Sequence, residues 1–371
     1  MIDVRIVGGG PAGCACALAL RKHAPSLSIE LVEVSDYTAP RVGETLPPHA
    51  RGALKHLGVW DAFVAQCHRP SYGTLSAWGS SAPHANDFVF STSGYGWHLD
   101  RAAFDRMLAD ACVSRGVHLR HPERSRGTRG AGGAPPVPPR SLDYARDDVR
   151  FTVDATGASA SIARARGAQP QPLDHLVCFG RFFDDSGGDP RTIVEACEDG
   201  WWYTAGLPDG RRFAAFMTDA DIARERGVWS SIPPLIAPLL KNADGPITAR
   251  SAESRLLDTV AGDGWLAVGD AASRFDPLSS QGILKALRSG TFAAYAIADL
   301  LTNGDDRGLR RYRAFIADEF AAYTQMRTKF YREERRWPES EFWRRRQLSD
   351  VAMAVSAAGD SPRTSLRETP V

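Results

Sequence analysis

The first thirteen residues constrain this chain more than any later stretch. Asp3-Val4-Arg5-Ile6-Val7 is short and rich in β-branched residues, the pattern of a buried parallel strand. Glycines follow at positions 8, 10 and 13, with Pro11 and Ala12 in the same turn, and then a run of small residues from Cys14 to Leu20 that suits a helix. Strand, glycine turn and helix in this order cradle a pyrophosphate: Gly8 allows the tight turn, Gly10 lets the backbone approach the phosphates, and Gly13 lets the helix sit close to the strand. The helix start adds free N–H groups and the positive end of its dipole. A second strand, Ser28-Ile29-Glu30-Leu31-Val32, ends at Glu33, twenty residues beyond Gly13. A carboxylate there accepts hydrogen bonds from a ribose. The plain alternative is a glycine-rich turn beside a solvated Glu; with strand, helix, second strand and acid together, a bound dinucleotide is the better reading. No Arg directly follows Glu33, which disfavours a 2′-phosphate at this site.

At 371 residues the chain can bury a substantial core and form two lobes. Its net charge of +1 and hydrophobic content of 43% give no footprint for nucleic acid or another polyanion. There is no basic-then-apolar leader and no apolar run of membrane-span length, so a cytoplasmic protein without a membrane partner is expected. Six cysteines, at 14, 16, 67, 112, 178 and 197, are scattered without a CxxC pair or a His cluster. They are expected to be reduced and mostly buried, and no metal site is expected.

Beyond Glu33, the loop Pro40-Arg41-Val42-Gly43-Glu44-Thr45-Leu46-Pro47-Pro48 runs into an amphipathic helix, with Ala50, Leu54, Leu57 and Val64 near helical spacing and Trp60 and Phe63 alongside. Phe104, Met107, Leu108 and Ala111 mark a second helix opened by Arg101. An arginine at a helix start opposes the dipole unless it faces a phosphate or a flavin ring; a surface position is the alternative. Residues 120–147 carry almost no apolar content and include four prolines between Ala131 and Arg140. They read either as a flexible insertion or as a discontinuity in the reading frame where strands belong. Val149 to Val153 is a strand again, running into Asp154-Ala155-Thr156-Gly157.

From Ala168 to Arg250 the apolar residues alternate, as in Val177 to Phe182 and Arg212 to Met217, and predict antiparallel strands of a second lobe. Trp201, Trp202 and Tyr203 are consecutive, so Trp201 and Tyr203 share one face of a strand and Trp202 takes the other. One face suits an aromatic substrate; core filling alone is the alternative.

Near the other end, Gly264 to Val268 is a strand and Gly269-Asp270-Ala271-Ala272 the turn after it. Asp270 there can accept hydrogen bonds from a ribityl chain or neighbouring hydroxyls. Phe275-Asp276-Pro277-Leu278-Ser279-Ser280-Gln281-Gly282 then leads into an apolar helix carrying Ile283, Leu284, Ala286, Leu287, Ala293, Ala294 and Ile297. The helix start at Gln281-Gly282-Ile283 aims N–H groups at the edge of a flavin ring that turns anionic on reduction. Pro277 fixes the approach of the loop and offers a rigid wall beside the ring.

On these pieces, with Gly43-Glu44-Thr45-Leu46-Pro47 and Asp154-Ala155-Thr156-Gly157, residues 1–119 and 149–325 resemble the flavoprotein monooxygenase and flavin-dependent halogenase superfamily. The resemblance implies an α/β protein: a glutathione-reductase-type, Rossmann-like FAD domain of residues 1–70, 96–165 and 250–325, a mainly antiparallel substrate lobe of 71–95 and 166–249, and C-terminal helices with a tail over 326–371. It implies FAD held by Gly8, Gly10, Pro11, Ala12, Gly13, Glu33, Arg41, Arg101, Thr156, Gly157, Gly269, Asp270, Gly282 and Ile283. Reduced FAD and oxygen would form a C4a-hydroperoxide that oxidises an electron-rich aromatic. Pro277, Gln281, Gly282, Glu44 and His49 are the catalytic candidates and Trp201, Trp202 and Tyr203 the substrate-binding ones; a lone His on a helix also serves as a structural residue.

The halogenase branch is similar in wording around Gly269 to Gly282 and commonly takes reduced FAD from a separate reductase. No second GxGxxG unit is present, which fits such a two-component system. Tryptophan-type halogenases hold the hypohalous species on a Lys beyond the Gly-Glu loop, and here no Lys stands between Lys55 and Lys241. Their Trp-x-Trp-x-Ile-Pro signature is missing as well. Around Trp78-Gly79 and Gly200-Trp201-Trp202-Tyr203 the chain is also similar to flavoprotein maturases that hydroxylate a tryptophan in partners carrying tryptophylquinone. Expected partners are therefore an aromatic small molecule or a tryptophan-bearing protein, and a flavin reductase. Halogenation, or reduction of an apolar substrate, are the alternatives. Tyr323 to Gln347 is rich in Arg, Trp and Phe and reads as a solvated helix whose aromatics cover the cofactor lobe.

Overall fold

The computed structural model describes residues 2–39, 41–88, 92–122, 149–185, 187–229 and 232–347. Most of the proline-rich stretch, and the tail beyond 347, lie outside them. A six-stranded sheet carries the first lobe in the order β17 (Ala261–Gly262), β18 (Trp265–Ala267), β9 (Val149–Asp154), β1 (Ile2–Val7), β2 (Ile29–Val32), β8 (His118–Arg120). All its pairings are parallel except β17 with β18. Parallel pairing matters because it puts the carboxyl ends of the strands at one level. Val7 pairs with both Val32 and Asp154, and Asp154 pairs with Ala267. The register thus brings the Gly8 turn, Glu33, Thr156 and the Gly269 turn together from four distant parts of the chain.

Helix α1 (Pro11–His23) packs on α7 (Gly282–Asn303), and small side chains set how closely. A Cβ on Gly290 would lie 2.2 Å from the Ala12 carbonyl oxygen, and one on Gly269 2.7 Å from Ala12 Cβ. Helix α4 (Arg101–Ser114) packs on α1, and α5 (Ser161–Ala165) is a short turn beside β9.

The second lobe is a seven-stranded sheet in the order β15 (Lys241–Ser251), β11 (Leu176–Asp184), β14 (Arg211–Asp219), β13 (Gly200–Gly206), β12 (Thr192–Cys197), β5 (Gly73–Ala77), β6 (His84–Asp87). It is antiparallel except where β5 meets β12. One face carries Trp201, Tyr203, Phe213 and Met217 with Tyr331, Phe342 and Trp343; the other carries Trp202 and Phe216 under Trp229 and Ile236. Helix α6 (Ala220–Arg226) follows β14. Two three-stranded sheets lie outside both main ones: β3 (Thr45–Leu46), β7 (Gly96–His98) and β4 (Arg69–Ser71), and β10 (Pro170–Pro172), β16 (Arg255–Leu257) and β19 (Ser273–Arg274).

Three expectations change. The helix expected across Ala50 to Val64 is two, α2 (Ala50–His56) and α3 (Trp60–Ala65), and Val64 is exposed. The break is local chemistry: Gly58 takes φ +69°, and Arg115 donates to the carbonyls of Leu57 and Gly58, each at 2.7 Å, closing the end of α2. The boundary drawn at 325/326 falls inside one continuous helix, α8 (Arg307–Glu333). The aromatics that follow it, Phe342 and Trp343, cover the second lobe rather than the cofactor lobe.

Candidate active site

The turn after β1 is braced by side chains that follow β2. Glu33 is buried; its Oε2 accepts from the Gly9 N–H at 2.6 Å and its Oε1 from the Ser35 N–H at 2.7 Å. The Tyr37 hydroxyl donates to the Gly9 carbonyl at 2.9 Å. A Cβ on Gly8 would lie 2.1 Å from the Ala155 oxygen and one on Gly13 1.9 Å from the Gly8 oxygen, so both glycines answer to close backbone approach. Gly10 differs: a Cβ there would meet nothing within 4 Å, and no side chain caps the α1 start behind it. Open volume over uncapped N–H groups is what a pyrophosphate requires. Thr156 Oγ1 donates to Asp154 at 2.6 Å and accepts from the Ser161 N–H at 2.9 Å, so it braces the turn in which Gly157 sits at φ +64°.

Arg41 and Arg101 meet at a residue the sequence reading passed over. Asp105 is fully buried on α4, 2.6 Å from Arg41 Nη1 and 3.2 Å from Arg101 Nη2. Arg101 Nη1 also donates to the carbonyls of Val42 and Gly43, each at 2.9 Å. Arg101 therefore holds the Gly43-Glu44 loop, while Arg41 lies 4.0 Å from Glu33. The only advance signal was the Arg101–Asp105 spacing of one helical turn.

At the ring end, α7 begins at Gly282 with no side-chain cap; Gln281 and Gly282 are exposed and Ile283 is buried. Asp270 Oδ1 lies 2.8 Å from the Nζ of Lys285, a buried lysine that the apolar reading of this helix missed. Asp270 is half-exposed; the desolvation it does suffer works to raise its pKa, and Lys285, with Arg274 and Arg255, overrides this and holds the carboxyl below the usual range. Asp276, just before Pro277, is a buried hub. Its N–H donates to the Tyr323 hydroxyl at 2.7 Å, its Oδ1 accepts from Leu278 N–H at 2.9 Å and its Oδ2 from the Tyr331 hydroxyl at 2.7 Å. Burial raises its pKa, with Arg327 opposing.

Between the lobes, Glu44 is buried beside Tyr203. The Tyr203 hydroxyl lies 3.4 Å from Glu44 Oε2 and 2.9 Å from Thr45 Oγ1, which is 3.4 Å from Thr192 Oγ1. Glu44 Oε1 has no partner among the described residues. Burial pushes the Glu44 carboxyl up to about 7 and raises the Tyr203 phenol well above its ordinary value. The other candidates separate. Trp201 is fully buried and donates to the Tyr331 hydroxyl at 3.0 Å. Trp202 stacks on Phe216 on the far face, so it is core and not site lining. His49 is exposed at the start of α2 and caps nothing, which removes it from the Glu44 cluster. Of the three aromatics, Tyr203 alone joins the polar group.

A parallel sheet with a glycine turn at its carboxyl edge, a buried acid beside that turn and two uncapped helix starts, together with the relatives below, mark an FAD-dependent oxidoreductase, and the open volume at Gly10 and Gly282 fits that cofactor. The chain belongs to the tryptophan halogenase family, whose profile matches residues 3–78 and 74–358. It is 32% identical over 388 residues to the putative FAD-dependent oxidoreductase LodB of Marinomonas mediterranea, covering 95% of this chain and 99% of that protein. A 1H-pyrrole-2-carbonyl-[peptidyl-carrier protein] brominase of Pseudoalteromonas luteoviolacea is 25% identical over 82% of this chain and 79% of its own length. Among solved structures, the flavin-dependent halogenase CmlS superposes with a TM-score of 0.75 at 26% identity, over 97% of this chain and 70% of that one. The peptidyl tryptophan dihydroxylase QhpG, essential for tryptophylquinone cofactor biogenesis, superposes with a TM-score of 0.72 at 26% identity, over 93% and 78%. Among the described residues, no helix is long and apolar enough to cross a membrane.

Proposed function

We propose that this protein is an FAD-dependent monooxygenase that adds oxygen to an electron-rich aromatic ring, and that the ring is a tryptophan side chain of a partner protein. FAD, reduced by a separate reductase, supplies the electrons that activate oxygen. The observation that carries the reading is the buried Glu44–Tyr203–Thr45 group set between the FAD-side loop and the second sheet, in a chain with no Lys between Lys55 and Lys241. Oxygen transfer to a ring carbon ends with loss of that carbon's proton, and a buried carboxyl titrating near 7 with a free oxygen suits a group that takes it. The Gly8 to Gly13 turn and Glu33 would hold the nucleotide end of FAD, Asp270 would accept from its ribityl chain, and Pro277 with the α7 start at Gln281, Gly282 and Ile283 would orient its ring. The likeness to a peptidyl tryptophan dihydroxylase supports the protein substrate.

The test is mass spectrometry of tryptophan-bearing peptides and candidate partner proteins after incubation with the protein, reduced FAD, bromide and ¹⁸O-labelled oxygen. Incorporation of the heavy oxygen is expected. The family relationship and the brominase relative favour halogenation as the second reading, and a brominated product would establish it instead. Product formed without oxygen would replace both with reductive chemistry.

A further inference from the structure

Lys285 occupies a position where a lysine is costly. It lies on the first turn of α7, 2% exposed, among the buried Ile283, Ala286, Leu287 and Ser289. An apolar side chain of similar length would fill that space without desolvating a charge. The ammonium is instead held at 2.8 Å from Asp270 Oδ1, against the Ser273 carbonyl, and 4.8 Å from the centre of the Phe275 ring. Its partner is not buried equally: the Asp270 side chain is 41% exposed. Glu319 faces Lys285 and Arg288 from α8, while Arg274 and Arg255 act on Asp270 from the small sheet. The pair therefore has its cation inside the protein and its carboxylate at the open side, one helical turn from the exposed start of α7.

We infer that Lys285 is a positioning residue that neutralises Asp270 and so lets the site hold FAD in its anionic reduced state. The inference rests on the placement of Asp270 at the flavin given above, and not on the identity of the aromatic substrate. Without the ammonium, Asp270 loses its hydrogen-bonded ion-pair partner and keeps only the influence of Arg274 and Arg255, so it presents more negative charge to the cofactor; that charge opposes the reduced, anionic ring more than the oxidised, neutral one. A protein that receives its cofactor already reduced has use for such a bias.

The test measures dissociation constants for oxidised FAD, and under anaerobic conditions for reduced FAD, in the wild type, Lys285→Met, Lys285→Arg, Asp270→Asn and Asp270→Asn/Lys285→Met. Lys285→Met is expected to raise the reduced-to-oxidised ratio of dissociation constants about tenfold, equivalent to a fall of about 30 mV in the two-electron potential. Lys285→Arg and the double variant, which keep or remove both charges together, are expected to stay near the wild-type ratio. A merely structural lysine would weaken both oxidation states alike, and an unchanged ratio in soluble Lys285→Met would overturn the inference. Should Asp270→Asn leave both affinities unchanged, Asp270 lies away from the flavin, and the placement itself fails.

Discussion

The Tyr331 hydroxyl donates to Asp276 Oδ2 at 2.7 Å, linking the last turn of α8 to the loop that delivers Pro277. It also accepts the Trp201 indole N–H at 3.0 Å, so one phenol ties α8, the cofactor-side loop and the second sheet. All three residues are essentially excluded from water. Tyr331→Phe strands a buried carboxylate oxygen and a buried indole N–H, and is expected to cost about 2–3 kcal/mol. Denaturant unfolding measures the loss, and FAD should dissociate faster because the Pro277 loop has lost its brace. An unchanged unfolding midpoint would show that solvent or Arg327 takes over the freed oxygen.

Glu44 makes stability depend on pH in an unusual direction for a carboxyl. Its folded pKa is raised by burial from 4.5 to about 7, so between those values the folded state binds more protons than the unfolded chain. Its contribution is therefore complete below pH 4.5 and is lost as pH rises through 7. In the apoprotein, Glu44→Gln should be more stable than wild type at pH 8, by about 3 kcal/mol, with the advantage shrinking to nothing near pH 4.5. Urea midpoints measured across that range read the sign directly; a Gln variant that gains nothing at pH 8 would mean the carboxyl is solvated there.

Asp105 anchors two arginines from inside the protein, so its removal leaves two guanidinium groups facing a cavity. Asp105→Ala is expected to destabilise the protein by about 3 kcal/mol. It should also loosen the Gly43-Glu44 loop, because the Arg101 guanidinium that holds the Val42 and Gly43 carbonyls loses its own anchor. Limited proteolysis of the 41–46 loop, with and without FAD, checks the second consequence: cleavage should be faster in the variant and slowed by cofactor.

What was legible in the sequence were features governed by a few neighbouring residues. The strand, glycine turn and helix at Val7 to Leu20 and the start of α7 at Gly282 follow from local patterns, and the alternation at Trp201 to Tyr203 placed Trp202 on its own face. What was not legible depends on pairing across distance. Asp105 reads as an ordinary helix residue until Arg41 folds over it, 64 positions away. Asp276 reads as a loop acid until Tyr331 reaches it from 55 residues downstream. Lys285 falls inside the apolar run from Ile283 to Leu287, and such a run discourages attention to its single charge. Arg101 was correctly odd at a helix start, but its donors serve loop carbonyls and Asp105.

Two glycines separate folding from cofactor binding. A Cβ at Gly290 would lie 2.2 Å from a backbone oxygen of α1, which cannot yield without moving the whole helix, so Gly290→Ala should destabilise the apoprotein by about 3 kcal/mol. A Cβ at Gly10 would enter empty space, and the backbone there, at φ −78°, accepts any L-residue. Gly10→Val is therefore expected to leave the apoprotein melting temperature within about a degree of wild type, since no contact is lost or strained. The same methyl groups occupy the volume above the uncapped N–H groups of α1, where the pyrophosphate must approach, so FAD affinity should fall at least tenfold, by about 1.4 kcal/mol or more. Calorimetry of the apoprotein and FAD titration of the same two variants distinguish the effects. If Gly10→Val bound FAD as tightly as wild type, the pyrophosphate would not cross the first turn, and the placement of the cofactor built on Gly8 to Gly13 would have to be abandoned.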